Sequence, residues 1–229
     1  MTSNATVTVF AGGTILTADA RRPRAESLTV ADGRVVQIGG SPQGDVTVDL
    51  QGMTLLPGFR DGHIHPLWGG TETLDAPVTT AMDLDDLLAR VGRHARDHPE
   101  LEWVVGHGYP CEALPGAVGR SEWLDAVVPD RPVALWASDH HTMWVNSRAL
   151  AAAGIGDDTA DPPAGEIVRR RGRAVGTLRE GAMDLVAPLV PRHSAADKAR
   201  GLAIALELMA AAGVVWAQEA ALAPDDVGA

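Results

Sequence analysis

Two histidines separated by one residue, His63 and His65, have the types and spacing best suited to chemistry. They follow the apolar run "TLLPGF" and precede Pro66, as in a short strand that ends at the rim of a pocket. Alternate residues of a strand share one face, so both imidazoles and Asp61 are expected to project together. Two imidazoles on one face suit zinc or another transition metal, and a nearby carboxylate can fix an imidazole tautomer. We therefore predict a divalent metal, with zinc the expected ion, bound by His63 and His65, and Asp61 orienting one of the rings.

The His-x-His spacing alone is a weak signal, because eight histidines in 229 residues give roughly 0.3 such pairs by chance. His94 and His98 lie four residues apart in a predicted helix, but their charged neighbours favour a solvated face. His107, between two glycines at a strand end, is a weaker candidate for a residue that lines a pocket. Cys111 has no activating neighbour in the sequence and is predicted to be an inert thiol.

The pattern of predicted secondary structure changes near residue 58. Residues 1–58 contain short runs of Val, Thr, Leu and Ile broken by Gly-Gly and Asp-Gly turns, which predicts a β-rich segment. From residue 59 to 229, predicted strands alternate with helices, as in a parallel α/β barrel or an open doubly wound sheet. The predicted strands of this second part lie near 59–65, 103–107, 133–137 and 214–218.

Cap residues and apolar spacing predict the helices. Asp83, Ser121, Asn146 and Ser194 each stand where a helix N-cap is favoured. The helix after Ser194 is the longest, and its Leu202, Leu206 and Met209 are predicted to form an apolar side. The segment "GEIVRRRGRAVGTL" is predicted to be a hairpin that places the arginine cluster 169–173 at its tip.

Charge and composition exclude several function classes. The net charge of -11 argues against a nucleic-acid partner and against an anionic membrane surface. No run approaches 18 apolar residues, and the first residues lack the pattern of a secretory signal. A single cysteine allows no intrachain disulfide and fits a reducing compartment, so we predict a cytoplasmic location.

Four segments resemble the amidohydrolase superfamily, and in particular the branch that contains N-substituted formamide deformylases. They are "LLPGFRDGHIHP", "WVVGHGY", "RPVALWASDHHTMWVNSRALAAAGI" and "GEIVRRRGRAVGTLREGAMDLV", in that order. The resemblance implies an α/β fold, with a small β-sandwich segment before a distorted (β/α)8 barrel of the TIM type. It also implies a small-molecule substrate and hydrolysis of a C–N bond, such as that of an amide or formamide, by a metal-bound hydroxide.

The resemblance also implies roles for individual residues. His63 and His65 match the first two metal ligands of the family. Glu180 matches a glutamate that is either a metal-site carboxylate or an exposed glutamate at a helix start. His141 matches a histidine that faces the substrate, with a hydrogen-bonded loop residue as the alternative. The residue before it, His140, stands where the family commonly has glycine.

The sequence departs from the family in length, because relatives are roughly twice as long. The missing half is expected to supply two further histidine ligands and the aspartate that shuttles protons. The 59–229 segment is too short for a barrel of about 250 residues, so an open strand edge is expected to recruit a second-half chain or another copy. Three hypotheses stay open: one subunit of a split hydrolase, a truncated inactive product, and a metal-binding or interaction module without catalysis.

Overall fold

The computed structural model of the protein describes residues 6–222. The chain divides into two compact units, one comprising Met1–Asp61 with Ala210–Ala217 and the other comprising Gly62–Met209 with Gln218–Ala229. The division predicted at residue 58, between a β-sandwich segment and a half-barrel, stays a prediction.

The first unit contains a five-stranded sheet with the order β3-β2-β1-β4, in which β5 also pairs with β1. Its strands lie where the Val- and Thr-rich runs predicted them. Asp32 and Gly33 both have positive φ angles, 50° and 69°, as the two-residue turn between β2 and β3 requires. The strands are β1 (Thr8–Leu16), β2 (Arg24–Ala31), β3 (Arg34–Ile38), β4 (Val46–Asp49) and β5 (Thr54–Leu55).

The strand β6 (Phe59–Ile64) pairs with β12 (Val214–Glu219) in a two-stranded sheet. The N–H of Phe59 donates to the carbonyl of Gly213, and the N–H of Ala220 donates to the carbonyl of Ile64. The partners advance in the same direction along both strands, so the pair is parallel, as the sequence predicted.

The second unit contains a five-stranded sheet with the order β10-β11-β9-β8-β7. Only the β7–β8 pair is parallel in this sheet, whereas β8–β9, β9–β11 and β10–β11 are antiparallel. The predicted strands near 103–107 and 133–137 are thus parallel, and the antiparallel pairs come from the unpredicted β9 and the predicted β10–β11 hairpin. None of the three sheets closes into a barrel within residues 6–222. The strands are β7 (Val104–Tyr109), β8 (Val133–Ala137), β9 (Thr142–Val145), β10 (Gly165–Arg170) and β11 (Arg173–Glu180).

The short strand β9 was not predicted, because its four residues follow a polar Asp-His-His segment. His140 has a φ of 58°, a left-handed conformation that favours glycine. This conformation reverses the chain and lets β9 run back along β8.

The five-stranded sheet of the second unit is buried on both faces. Val133 and Leu135 of β8 belong to a cluster with α2 and α3, whereas Ala134 between them belongs to a second cluster on the other face. In β9, Met143 and Trp144 divide in the same way. The period of two along each strand thus distributes the apolar side chains to two layers of core.

Five α-helices accompany the strands in the described part of the chain, and most begin at the predicted caps. Asp83 accepts a hydrogen bond from the N–H of Asp86, and Asn146 accepts one from the N–H of Ala149. Ser121 is the first helical residue and not the cap, since Arg120 occupies the N-cap position. Within the described part of the chain, no helix is both long and apolar enough to cross a membrane. The helices are α1 (Pro66–Glu72), α2 (Leu84–Asp97), α3 (Ser121–Val127), α4 (Ser147–Ala152) and α5 (Ala195–Ala211).

The predicted apolar side of α5 is largely exposed. Leu202 and Leu206 are 37% and 54% accessible, whereas Gly201 and Ala205 are buried. A Cβ atom at Gly70 of α1 would overlap the carbonyl of Gly201, so the two helices touch through their backbones. The helix thus packs on α1 along its small residues and not along the predicted apolar side.

Candidate functional site

The two histidines of the His-x-His pair lie next to each other at the end of β6. The ring centroids of His63 and His65 are 5.4 Å apart, and the rings meet edge to face at 85°. His63 is exposed, and the His65 side chain is 34% accessible. Both imidazoles are therefore accessible to a ligand, and their role as metal ligands stays a prediction.

A carboxylate that was not predicted from the sequence contacts His65. Glu219 ends β12, the strand that pairs with β6, and its Oε1 lies 3.0 Å from Nδ1 of His65. The same carboxylate accepts hydrogen bonds from the N–H groups of Ala221, at 3.0 Å, and Leu67, at 3.4 Å. Burial acts to raise the pKa of Glu219, but these hydrogen bonds outweigh it and hold the pKa below its ordinary value. Glu219 is therefore ionised at neutral pH.

The ionised Glu219 fixes the chemical form of His65. An ionised carboxylate only accepts hydrogen bonds, so the Nδ1–H group of His65 donates a hydrogen bond to Glu219 and keeps its proton. In the neutral ring the lone pair then lies on Nε2, the arrangement found in carboxylate–histidine–metal units. Trp68 stacks on the same ring, with centroids 4.7 Å apart and planes 21° apart, which restricts its rotation.

Glu180 and His141 form a second histidine–carboxylate pair. Nδ1 of His141 lies 3.1 Å from Oε2 of Glu180, and the N–H of Glu180 donates to the carbonyl of His141. Both side chains are more than half exposed. Among the described residues, no group of three or more His, Cys, Asp or Glu side chains converges as a metal site. The ligand role of Glu180, the substrate contact of His141 and the orienting role of Asp61 stay predictions.

A third histidine–carboxylate cluster borders a cavity of about 380 Å³. The Nε2 atoms of His107 and His193 each lie 3.4 Å from Oδ2 of Asp75, and the His107 ring stacks on Trp136. Burial lowers the pKa of His107, whereas the close approach of the Asp75 carboxylate raises the pKa of His193. That His107 lines a pocket is confirmed, but nothing in the sequence had indicated Asp75 or His193.

The helical pair His94 and His98 does not form the solvated face that its neighbours predicted. His94 is 8% accessible, and burial lowers its pKa, whereas His98 is exposed. The two rings lie 4.5 Å apart. The prediction is wrong for His94 because α2 turns this position towards the protein interior.

The chain is similar to known proteins of one family. The model of the amidohydrolase family matches residues 46–228. The chain is 32% identical over 184 residues to the N-substituted formamide deformylase of Arthrobacter pascens, covering 75% of this chain and 34% of the deformylase. It is 30% identical over 198 residues to the protein LONG AFTER FAR-RED 3 of Arabidopsis thaliana, covering 83% of this chain and 34% of that protein. The chain thus spans about a third of the length of these curated relatives.

The fold resembles a solved structure as well. The crystal structure of an uncharacterized metal-dependent hydrolase from Pyrococcus furiosus superposes with a TM-score of 0.64 at 19% identity. The match covers 96% of this chain and 46% of that hydrolase. At this identity the likeness concerns the fold alone. Because the family model matches well over half of the sequence, the chain belongs to the amidohydrolase family.

Proposed function

We propose that the chain is the N-terminal part of a metal-dependent amidohydrolase that hydrolyses a C–N bond, such as that of an amide or formamide. The observation that carries the proposal is the adjacent His63–His65 pair, in which the ionised Glu219 holds one ring. Family membership and the 32% identity to a formamide deformylase support the reaction class.

The residues present fit a divalent ion, with zinc the expected one. Neutral imidazoles are good zinc ligands, and the contact of Glu219 with Nδ1 of His65 leaves Nε2 of that ring to bind. A bound ion would polarise the scissile carbonyl and lower the pKa of an attacking water. Glu219 would keep His65 in the binding tautomer, and the exposure of His63 would leave the ion open to a substrate.

As the first half of a barrel, the chain would have an open surface that another chain covers. The β6–β12 pair and the exposed leucines of α5 leave apolar surface that a second-half chain or another copy would cover. That second half would supply further ligands and the proton-shuttling aspartate. The chain alone is therefore expected to show little or no turnover.

A metal-binding or interaction module without catalysis is the second candidate. The observation that favours it is the exposure of Leu202, Leu206 and Leu208 on α5, apolar side chains that an interacting chain would cover. Mixing with a candidate second-half chain separates the two. Metal-dependent release of formate from a formamide only in the mixture supports the hydrolase, and metal binding without turnover in every mixture supports the module.

Zinc affinity tests the proposed ligands independently of turnover. Competition with a chromogenic chelator measures the affinity of the wild type and of the His63→Asn/His65→Asn variant. We expect the double variant to lose zinc affinity at least about tenfold, since metal ligands carry most of the binding energy. The matched control is His98→Asn, which removes an exposed imidazole elsewhere. Equal affinity in the wild type and the double variant would contradict the proposal.

A further inference from the structure

A second cavity, of about 600 Å³, lies in the second unit at the tip of the β10–β11 hairpin. The starts of α3 and α4 form its other walls. Its polar lining includes four arginines and two serines: Arg120, Arg170, Arg171, Arg173, Ser121 and Ser147. In a chain with a net charge of -11, this concentration of guanidinium groups is unusual, and it belongs to none of the three histidine sites described above.

The turn geometry brings three of these arginines together. Arg171 and Gly172 have φ angles of 53° and 80°, which form a two-residue turn of the type that suits hairpins. The turn places Arg170 directly opposite Arg173 in the strand register. Like charges directly opposite each other destabilise a hairpin, and a bound anion would remove that repulsion.

The base of the hairpin is fixed against the start of α3, which brings in the fourth arginine. Gly176 of β11 has no side chain, and a Cβ atom there would lie 2.8 Å from the backbone nitrogen of Ser121. The hydroxyl of Thr177 donates to the carbonyl of Gly119 at 2.8 Å in the protein interior. These contacts bring the backbone of β11 directly against the residues around Arg120, so Arg120 lies beside the hairpin.

Much of the positive charge in the cavity has no internal counter-ion. Of the described residues, Arg170 and Arg171 take part in no ion pair, and Arg173 reaches Asp157 only at 3.7 Å. Arg120 pairs with Glu122 at 3.2 Å, a carboxylate that also lines the cavity. Within residues 6–222, no atom accepts a hydrogen bond from the buried Nε of Arg120. The four arginines and one glutamate leave an excess of three positive charges.

We propose that this cavity binds a small polyanion with two or more phosphate groups. The planar guanidinium group matches phosphate oxygens in a bidentate manner, and several such groups around one cavity suit a di- or triphosphate. A cavity of about 600 Å³ is in the size range of small-molecule sites. A free polyphosphate and the phosphate tail of a nucleotide share this chemistry. The overall negative charge disfavours a nucleic-acid backbone as the ligand.

Calorimetric titration of the full chain at constant ionic strength tests the proposal, with sodium triphosphate, ATP and orthophosphate as probes. Triphosphate is expected to bind more tightly than orthophosphate. The Arg170→Gln/Arg171→Gln variant is expected to weaken triphosphate binding at least about tenfold, since it removes charge-assisted hydrogen bonds. Both side chains are exposed, so the variant is expected to fold normally, which circular dichroism checks. The matched control is Arg24→Gln/Arg34→Gln, which removes two exposed arginines of the first unit.

The ligand source follows from the comparison of probes. Tighter binding of ATP than of triphosphate identifies a nucleotide site, and equal binding identifies a polyphosphate site; both support the proposal. The proposal is overturned if the wild type binds triphosphate no better than chloride. It is equally overturned if the control variant loses as much affinity for triphosphate as the hairpin variant does. Tighter binding of a short oligonucleotide than of triphosphate and ATP would also overturn it.

Discussion

Replacing Glu219 by glutamine tests whether this carboxylate orients His65 for metal binding. The side chain is 15% accessible, and its Oε1 lies 3.0 Å from Nδ1 of His65. Glutamine keeps the size and one acceptor oxygen, which can still serve Nδ1 of His65 and the N–H of Ala221, but it removes the charge. Its NH2 group replaces the oxygen that accepts from the N–H of Leu67, so the change also removes that long hydrogen bond of 3.4 Å.

The expected magnitude follows from the hydrogen bond between His65 and Glu219. A hydrogen bond to a charged group contributes about 1.5–3 kcal/mol, against about 0.5–1.5 kcal/mol for a neutral one. The difference of about 1–2 kcal/mol corresponds to a loss of zinc affinity of roughly 5- to 30-fold. Carboxylates that hold metal-bound histidines typically contribute about 10- to 100-fold, which overlaps this range.

Chelator competition measures zinc affinity in the wild type, in Glu219→Gln and in the control Glu207→Gln. Glu207 is an exposed glutamate of α5, so its replacement changes the net charge equally without touching His65. The reasoning is refuted if Glu219→Gln binds zinc within about twofold of the wild type, or if the control loses as much affinity.

Three further predictions concern the stability of the second unit, measured by thermal or chemical unfolding. In α1, Gly70→Ala is expected to lower the free energy of unfolding by about 1–3 kcal/mol, because the new Cβ overlaps a carbonyl of α5. At the neighbouring Gly69 a new Cβ meets no other described residue, so Gly69→Ala is expected to raise the free energy of unfolding by up to about 1 kcal/mol. Equal changes in the free energy of unfolding for the two variants would refute the contact between α1 and α5. The buried Asn146 caps α4 and bonds three further backbone groups, so Asn146→Ala is expected to cost about 2–4 kcal/mol, and a cost below about 1 kcal/mol would contradict this. The Asp75 carboxylate raises the pKa of His193 above its ordinary value of 6.5. The ion pair of protonated His193 with Asp75 therefore stabilises the fold fully below pH 6.5, and this stabilisation is lost as the pH rises through the raised pKa of His193. The melting temperature of His193→Gln is thus expected to fall further below the wild type at pH 5.5 than at pH 8.5, and a pH-independent difference would contradict the assignment.

Local signals in the sequence predicted the elements well wherever a single residue determines the backbone. The caps Asp83 and Asn146 and the turn at Asp32–Gly33 lie where expected, because each depends on a hydrogen bond or a φ angle within a few residues. The hairpin tip at Arg171–Gly172 is confirmed for the same reason.

Pairings between distant segments could not be predicted. The antiparallel strand β9 depends on the left-handed conformation of His140, which the sequence signals weakly because histidine seldom adopts it. The apolar spacing of α5 predicted a side formed by its leucines, whereas the close approach of α1 buries Gly201 and Ala205. Hydrophobic spacing indicates which residues share a side, but not which side another helix covers.

The candidate site was predicted in part. The proximity of His63 and His65 follows from the strand period, since their spacing is local. Glu219 was missed because it lies 154 residues from His65, and only the parallel pairing of β6 with β12 brings the two together. A useful signal was present all the same: Glu219 ends a predicted strand, as the histidines do.

The central claim is that His63 and His65 bind a divalent metal, and anomalous X-ray scattering at the zinc edge tests it most directly. Crystals grown with zinc are predicted to show a peak bonded to a ring nitrogen of both histidines at about 2.0–2.1 Å. The peak is predicted to disappear in the His63→Ala/His65→Ala variant. Zinc bound only elsewhere, for instance between His107 and His193, would contradict the account.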